Sequence, residues 1–223
     1  MCAIFGAKDR SMFDVLHDAN LERGKYAFSC LFARDDQKHN IYKYEGHPDL
    51  HKIKNSDSHE LFLGHNQAPT SAKRDYDKRT SHPFNSGNWI VAHNGVLSNF
   101  KQLKAKYFSG GYRNPVDSSI IPAMLDDLER TLKKTSEINI VKAILNRLEG
   151  TFGVWIYNQT TGNTYIARSG VTLFMNYKTK SFSSIRGKGF KEVKEGAIYK
   201  LTAVGGFKKM DEFETKSPFL TLS

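Results

Sequence analysis

Apolar residues along the chain come in short runs, with helical spacing in only a few stretches. Ala3–Ala7 is an unbroken apolar run of strand length. Met12, Phe13, Leu16 and Leu21 then recur at helical spacing, with Ser11 as the expected N-cap and Gly24 as the stop. Residues 26–34 and 40–44 read as strands around a turn at 35–39, and residues 61–66 as another strand. A polar loop follows, through Pro83. Residues 89–93 read as a strand that breaks at the turn dipeptide Asn94-Gly95. Residues 98–107, 117–132 and 138–148 carry helical periodicity, with Pro122 near the start of the second stretch or kinking it. From Thr151 onward, strands at 152–157, 164–167, 173–177, 181–185 and 197–201 alternate with glycine turns. Strands, then helices, then strands predict an α+β architecture of stacked sheet and helix layers, not repeated βαβ units.

Composition narrows the class. The chain has 223 residues, 39% of them apolar, which is enough to bury a sizeable core without disulfides. The apolar run near the N-terminus is too short for a signal core or a membrane span, so the expected setting is cytoplasmic, away from membranes. Two cysteines exclude a disulfide framework and a four-cysteine zinc site. The net charge is +10. It sits in two blocks of +6 each, residues 61–115 and 161–223, while residues 1–60 and 116–160 carry −1 each. Neither block is a continuous basic run, and no cysteine–histidine finger or RNP-like aromatic signature is present. Nucleic acid is therefore a disfavoured partner that charge alone leaves open.

The chemistry concentrates at Cys2. Removal of Met1 would leave a terminal cysteine whose α-amine, of reference pKa about 8, lies beside a thiol of reference pKa about 8.5. Such an amine can serve as general base for its own thiol without a histidine. Taken alone, Cys2 reads more readily as a small buried hydrophobe near the chain end. His47, His51 and His59 lack a ligand frame, with Pro48 between the first two, and read as surface histidines rather than a metal site. Cys30 reads as a packing residue in a strand.

A longer pattern decides the reading of Cys2. Met1-Cys2-Ala3-Ile4-Phe5-Gly6 resembles the opening of the class II glutamine amidotransferases, which are N-terminal-nucleophile hydrolases with a cysteine nucleophile. Arg23-Gly24, Gly64-His65 with Thr70, His82-Pro83, and His93-Asn94-Gly95 with Asn99 follow in the family's order. So do Asp117, Gly150 to Gly153, Ala167-Arg168 with Gly170, Ser183-Ser184 and Glu195-Gly196, so the resemblance spans about residues 1–201. The sugar-phosphate synthases' glutaminase domain looks nearest.

The resemblance implies a single domain over 1–223, folded as the four-layer α/β/β/α sandwich of N-terminal-nucleophile hydrolases. It implies hydrolysis of L-glutamine to glutamate and ammonia through a Cys2 thioester, with no cofactor and no metal. Asn94 and Gly95 would be the oxyanion donors, presented by their turn. Arg23, Gln67, Thr70, His93 and Asp117 would form the substrate site, with Asp117 on the ammonium group. His65, His82 and His93 read as donors in the site wall rather than as the base.

Two positions depart from the family pattern: Gln67 stands where an arginine is usual, and Ala3 where a glycine is usual. With Gln67, glutamine is expected to bind weakly until a partner or acceptor completes the site. No synthase domain is legible in the sequence, so a separate ammonia-accepting synthase subunit is the expected partner, with block 161–223 as a docking face. The alternatives are a hydrolase of another γ-glutamyl or amide substrate, and a weak or non-catalytic module of the same fold.

Overall fold

A computed structural model describes residues 1–53, 59–68, 77–108, 114–202 and 206–216. In chain order the elements are β1 (Ala3–Ala7), α1 (Arg10–Asn20), a 3-10 turn (Leu21–Arg23), β2 (Ala27–Arg34), β3 (His39–Glu45), β4 (His59–Gln67), β5 (Phe84–Ser86) and β6 (Trp89–Leu97). Then come α2 (Phe100–Tyr107), a 3-10 turn (Asp117–Ser119), α3 (Ile120–Thr131), α4 (Glu137–Leu145), β7 (Gly150–Asn158) and β8 (Thr164–Ser169). The chain continues through β9 (Phe174–Asn176), β10 (Ser181–Ser183), β11 (Lys191–Glu192), β12 (Ala197–Thr202) and β13 (Gly206–Glu212).

The strands form two antiparallel sheets. One has the order β11-β9-β10-β1-β4-β2-β3, the other β13-β12-β8-β7-β6-β5. Helix α1 covers the outer face of the first sheet through Phe13 and Leu16, which pack with Phe5, Phe28, Phe32 and Phe62. Helices α2, α3 and α4 cover the outer face of the second, against Trp89, Val91, Phe152, Val154 and Ile156. Between the sheets lie Ile4, Leu31, Leu63, Ile90, Ala92, Trp155 and Ile166. The result is the α/β/β/α sandwich expected from the sequence. It also explains why the strands read as apolar runs. Ile4 faces the other sheet while Phe5 faces α1, so both sets of alternating positions are buried.

Two local expectations are corrected, and one strand is added. Asp9, not Ser11, caps α1: its Oδ1 accepts from Met12 N–H at 2.9 Å and from the Ser11 hydroxyl at 2.6 Å. Asn94-Gly95 is not a turn. It lies inside β6, with Asn94 opposite Gly153 and Gly95 opposite Phe152. Gly95 takes φ +144, and a Cβ there would lie 2.0 Å from the Thr151 carbonyl oxygen, so a glycine here allows two strands to close rather than the chain to reverse. Finally, β13 pairs with β12 along residues 206–212, where lysines and acids on an edge strand had hidden any strand pattern. Among the described residues, no helix is long and apolar enough to cross a membrane.

Candidate active site

Cys2 lies at the N-terminal end of β1, which is a central strand between β10 and β4. Its thiol donates to the Ala68 carbonyl at 3.8 Å, just past the end of β4. The β1–β4 register pairs Ala3 with Asn66, so the next position along brings Gln67 level with Cys2. Gln67 is buried, and its own carbonyl accepts from Tyr26 N–H at 2.9 Å.

One hydroxyl ties the two sheets together beside this cysteine. Ser184, just after β10, accepts from Ile4 N–H at 3.0 Å through Oγ, and its own N–H donates to the Ile4 carbonyl at 2.9 Å. The same Oγ accepts from Asn94 Nδ2 at 3.4 Å. Asn94 shares the inward-facing set of β6 with Ile90 and Ala92, so its amide crosses from the second sheet to the strand that carries Cys2.

Arg23 closes the other side. Its Nη1 donates to the Ser184 carbonyl at 2.8 Å and to Thr172 Oγ1 at 3.0 Å, and Thr172 Oγ1 donates to the same carbonyl at 2.9 Å. Nη2 lies 3.9 Å from Met1 Sδ. Burial lowers the Arg23 pKa from its ordinary value, and the Cys2 thiol is among the groups that pull it back up. The arginine is delivered by a tight crossing: a Cβ on Gly24 would lie 2.7 Å from the Asn66 carbonyl oxygen, so only glycine lets the 3-10 turn cross the end of β4.

His93 and Asp117 form a second group on the helix side of β6. His93 alternates with Asn94 and shares the face of Trp89 and Val91. Its Nε2 meets the Thr151 carbonyl at 3.3 Å, an atom that can only accept, so Nε2 carries the proton. Nδ1 is then free to accept from Ser118 Oγ at 2.8 Å. Burial pushes the His93 pKa down, which keeps the ring neutral. With both nitrogens engaged, His93 is a brace rather than a ligand for substrate. Asp117 accepts from Leu97 N–H at 2.8 Å through Oδ2, and from Ser118 N–H at 2.7 Å through Oδ1. The carboxylate thereby pins the end of β6 two residues past Gly95. His65 and His82 are buried and stack with ring centroids 3.9 Å apart.

In the sequence, Ser183-Ser184 and Arg168 stand only as part of the family pattern, and Thr172 carries no signal of its own. Arg168 pairs with Glu195 at 3.0 Å and Glu192 at 2.9 Å and donates to the Val171 carbonyl at 2.9 Å, fixing the loop that carries Thr172. Glu195 also accepts from Gly170 N–H at 2.6 Å. Adjacent serines after an apolar strand were the available signal for Ser184, while nothing local marked Thr172. Thr70 lies outside the described residues. His47 and His59 are not the surface residues expected. His59 is buried, and His47 donates from Nε2 to the Gly24 carbonyl at 2.9 Å. Cys30 is buried in the α1-side core as expected, and burial raises its thiol pKa well above the ordinary range.

Known proteins are similar to this chain in sequence and in fold. A glutamine amidotransferase domain family matches residues 71–185, about half of the chain. The glutamine–fructose-6-phosphate aminotransferase of Methanococcus maripaludis is 27% identical over 169 residues, covering 71% of this chain and 28% of that protein. A 7-cyano-7-deazaguanine synthase of Sulfurisphaera tokodaii is 27% identical over 176 residues, covering 76% of this chain and 37% of its own length. The chain thus spans about a third of the length of these curated relatives. Among solved structures, the glutamine phosphoribosylpyrophosphate amidotransferase of B. subtilis superposes with TM-score 0.73 at 19% identity, over 96% of this chain and 49% of that one. A glutamine aminotransferase class-II domain protein from Silicibacter pomeroyi superposes with TM-score 0.59 at 14% identity, over 96% of this chain and 99% of that one. By this match, and by its sandwich fold, the chain belongs to the glutamine amidotransferase domain family, class II.

Proposed function

We propose that the mature chain hydrolyses the side-chain amide of L-glutamine, with Cys2 as nucleophile, and hands the ammonia to an acceptor on a separate partner. Met1 is 79% exposed, within reach of an aminopeptidase, and its removal would free the Cys2 α-amine. The amine takes the thiol proton, and the thiolate attacks the amide carbon. The oxyanion that forms is held by Asn94 Nδ2 and the Gly95 N–H. The ammonium proton passes to the leaving nitrogen, the C–N bond breaks, and ammonia departs from a γ-glutamyl thioester. Water, deprotonated by the same amine, attacks the thioester and releases glutamate and the thiol.

Asp117 receives the substrate ammonium, braced through Ser118 by neutral His93. Arg23, Gln67 and Thr70 hold the carboxylate end. The observation that carries this reading is the path Asn94–Ser184–Ile4. It sets a side-chain donor from one sheet against the strand that follows Cys2 in the other. The matched family and the names of the longer relatives support glutamine as substrate and a synthase as acceptor. The test is ammonia release from a panel of amides, with N-terminal mass spectrometry of the same sample. Glutamine should be the favoured substrate, and Cys2→Ala should release none. A retained Met1 together with full activity would overturn the role given to the α-amine.

A further inference from the structure

The end of the sandwich farthest from Cys2 carries a polar cavity of about 320 Å³, lined by Lys8, Arg34, Glu60, Tyr157, Asn163 and Lys200 among others. Lys8 is six residues along from Cys2, so the two ends of β1 lie about 20 Å apart. Alternation along β1 puts Ile4 and Gly6 on the face toward the other sheet, where a Cβ on Gly6 would strike Phe182 and Leu63. Lys8 continues that face. Across sheet one it extends the row Leu61–Ala33, and opposite it stands Tyr157 of β7. An ammonium thus terminates the apolar layer between the two sheets.

Among the described residues, two buried donors around this space have no acceptor, and an ammonium beside them has no ion pair. Tyr157 is 1% exposed, and its hydroxyl has no hydrogen-bond partner. Arg34 Nε is buried without a partner, although its Nη2 reaches Asp36 at 3.2 Å. Among the described residues Lys8 makes no ion pair, and the carboxylates of Glu60 and Asp35 act on it only over a longer range, with Lys180 opposing them. Burying the Tyr157 hydroxyl and Arg34 Nε without an acceptor is unfavourable, and a ligand oxygen would relieve it. Burial lowers the Lys8 pKa from its ordinary value, against the opposing pull of Glu60 and Asp35.

We propose that this cavity is a second binding site, separate from the Cys2 site, for a small anion bearing a carboxylate or phosphate head. Lys8 supplies the charge and Tyr157 and Arg34 the hydrogen bonds. The two carboxylates at the mouth, Glu60 and Asp35, disfavour a highly charged polyanion, and the volume suits a molecule of amino-acid size.

Isothermal titration of the full chain with inorganic phosphate and, separately, with succinate tests the site and tells the two head groups apart. Saturable binding of at least one probe is expected. It should weaken about tenfold or more in Lys8→Met and several-fold in Tyr157→Phe, which removes a single hydroxyl. Cys2→Ala should bind as the wild type does, and amide resonances of Gly162 and Asn163 should shift with the same saturation curve. No saturable binding of either probe in the millimolar range would overturn the proposal. So would equal affinity in the wild type and both cavity variants.

Discussion

Asn94 and Ser184 meet across the two sheets, with the asparagine amide nitrogen 3.4 Å from the serine hydroxyl oxygen. That oxygen also accepts from Ile4 N–H, two residues from Cys2. Ser184 is therefore a positioning residue: it touches no reacting atom in the proposed mechanism but fixes the donor relative to the nucleophile's strand. Ser184→Ala should lower kcat about tenfold with little change in KM, whereas Asn94→Ala should cost about 10²–10³ in kcat as a lost oxyanion donor. Steady-state ammonia release separates the two. Equal loss in both variants would contradict the division of roles.

Gly24→Ala tests the delivery of Arg23. The added methyl would press on backbone atoms of Asn66 and Gln67, which cannot rotate aside. Destabilisation of about 1–3 kcal/mol is expected, together with a raised KM for glutamine as Arg23 withdraws from Ser184 and Thr172. Thermal melting and initial rates measure both. Unchanged KM in a folded variant would show that the crossing does not govern the substrate site.

The pair behind that crossing makes stability depend on pH. His47 donates to the Gly24 carbonyl and meets His17 Nε2 at 2.9 Å through Nδ1. Burial, and then the neighbouring His17, bring the His47 pKa down to about 4. Burial lowers His17 as well, against the opposing pull of Asp18 and Asp14. The unfolded chain therefore binds a proton that the fold refuses as pH falls from about 6.5 toward 4. Stability from neutral His47 is full above that window and is lost through it. The melting temperature should fall more steeply across this range in the wild type than in His47→Gln, whose amide can keep both hydrogen bonds. Equal slopes would refute the assignment.

Gln67→Arg tests the departure from the family pattern. A guanidinium level with Cys2 at the end of β4 would add a charged hydrogen bond to the substrate carboxylate, worth about 1.5–3 kcal/mol. Glutamine KM should drop about tenfold or more, measured by ammonia release. A rise in KM would mean that the carboxylate lies elsewhere.

How much the sequence revealed follows from how local each feature is. The layers were legible because helical and strand periods differ, and because burial on both faces gives apolar runs such as Ala3–Ala7. The candidate site was legible through short motifs, Cys2 and Asn94-Gly95 among them. What failed was the backbone state at Asn94-Gly95. The dipeptide's turn preference was overridden by nine residues of pairing between β6 and β7, which use the glycine for close approach. Ser11 lost the cap to Asp9 because the helix starts earlier than its apolar spacing suggests: the Asp9 carboxylate accepts from Met12 N–H and from the Ser11 hydroxyl itself. Thr172 and the His17–His47 contact join residues far apart in sequence, and no local pattern encodes them.

The most direct test of the central claim is labelling of the mature chain with a glutamine-mimicking diazo-ketone, followed by peptide mapping. The account predicts one label per chain, on Cys2, prevented by excess glutamine and absent from Cys2→Ala. An unlabelled wild type whose Met1 has been removed, or a label that persists in Cys2→Ala, would contradict it.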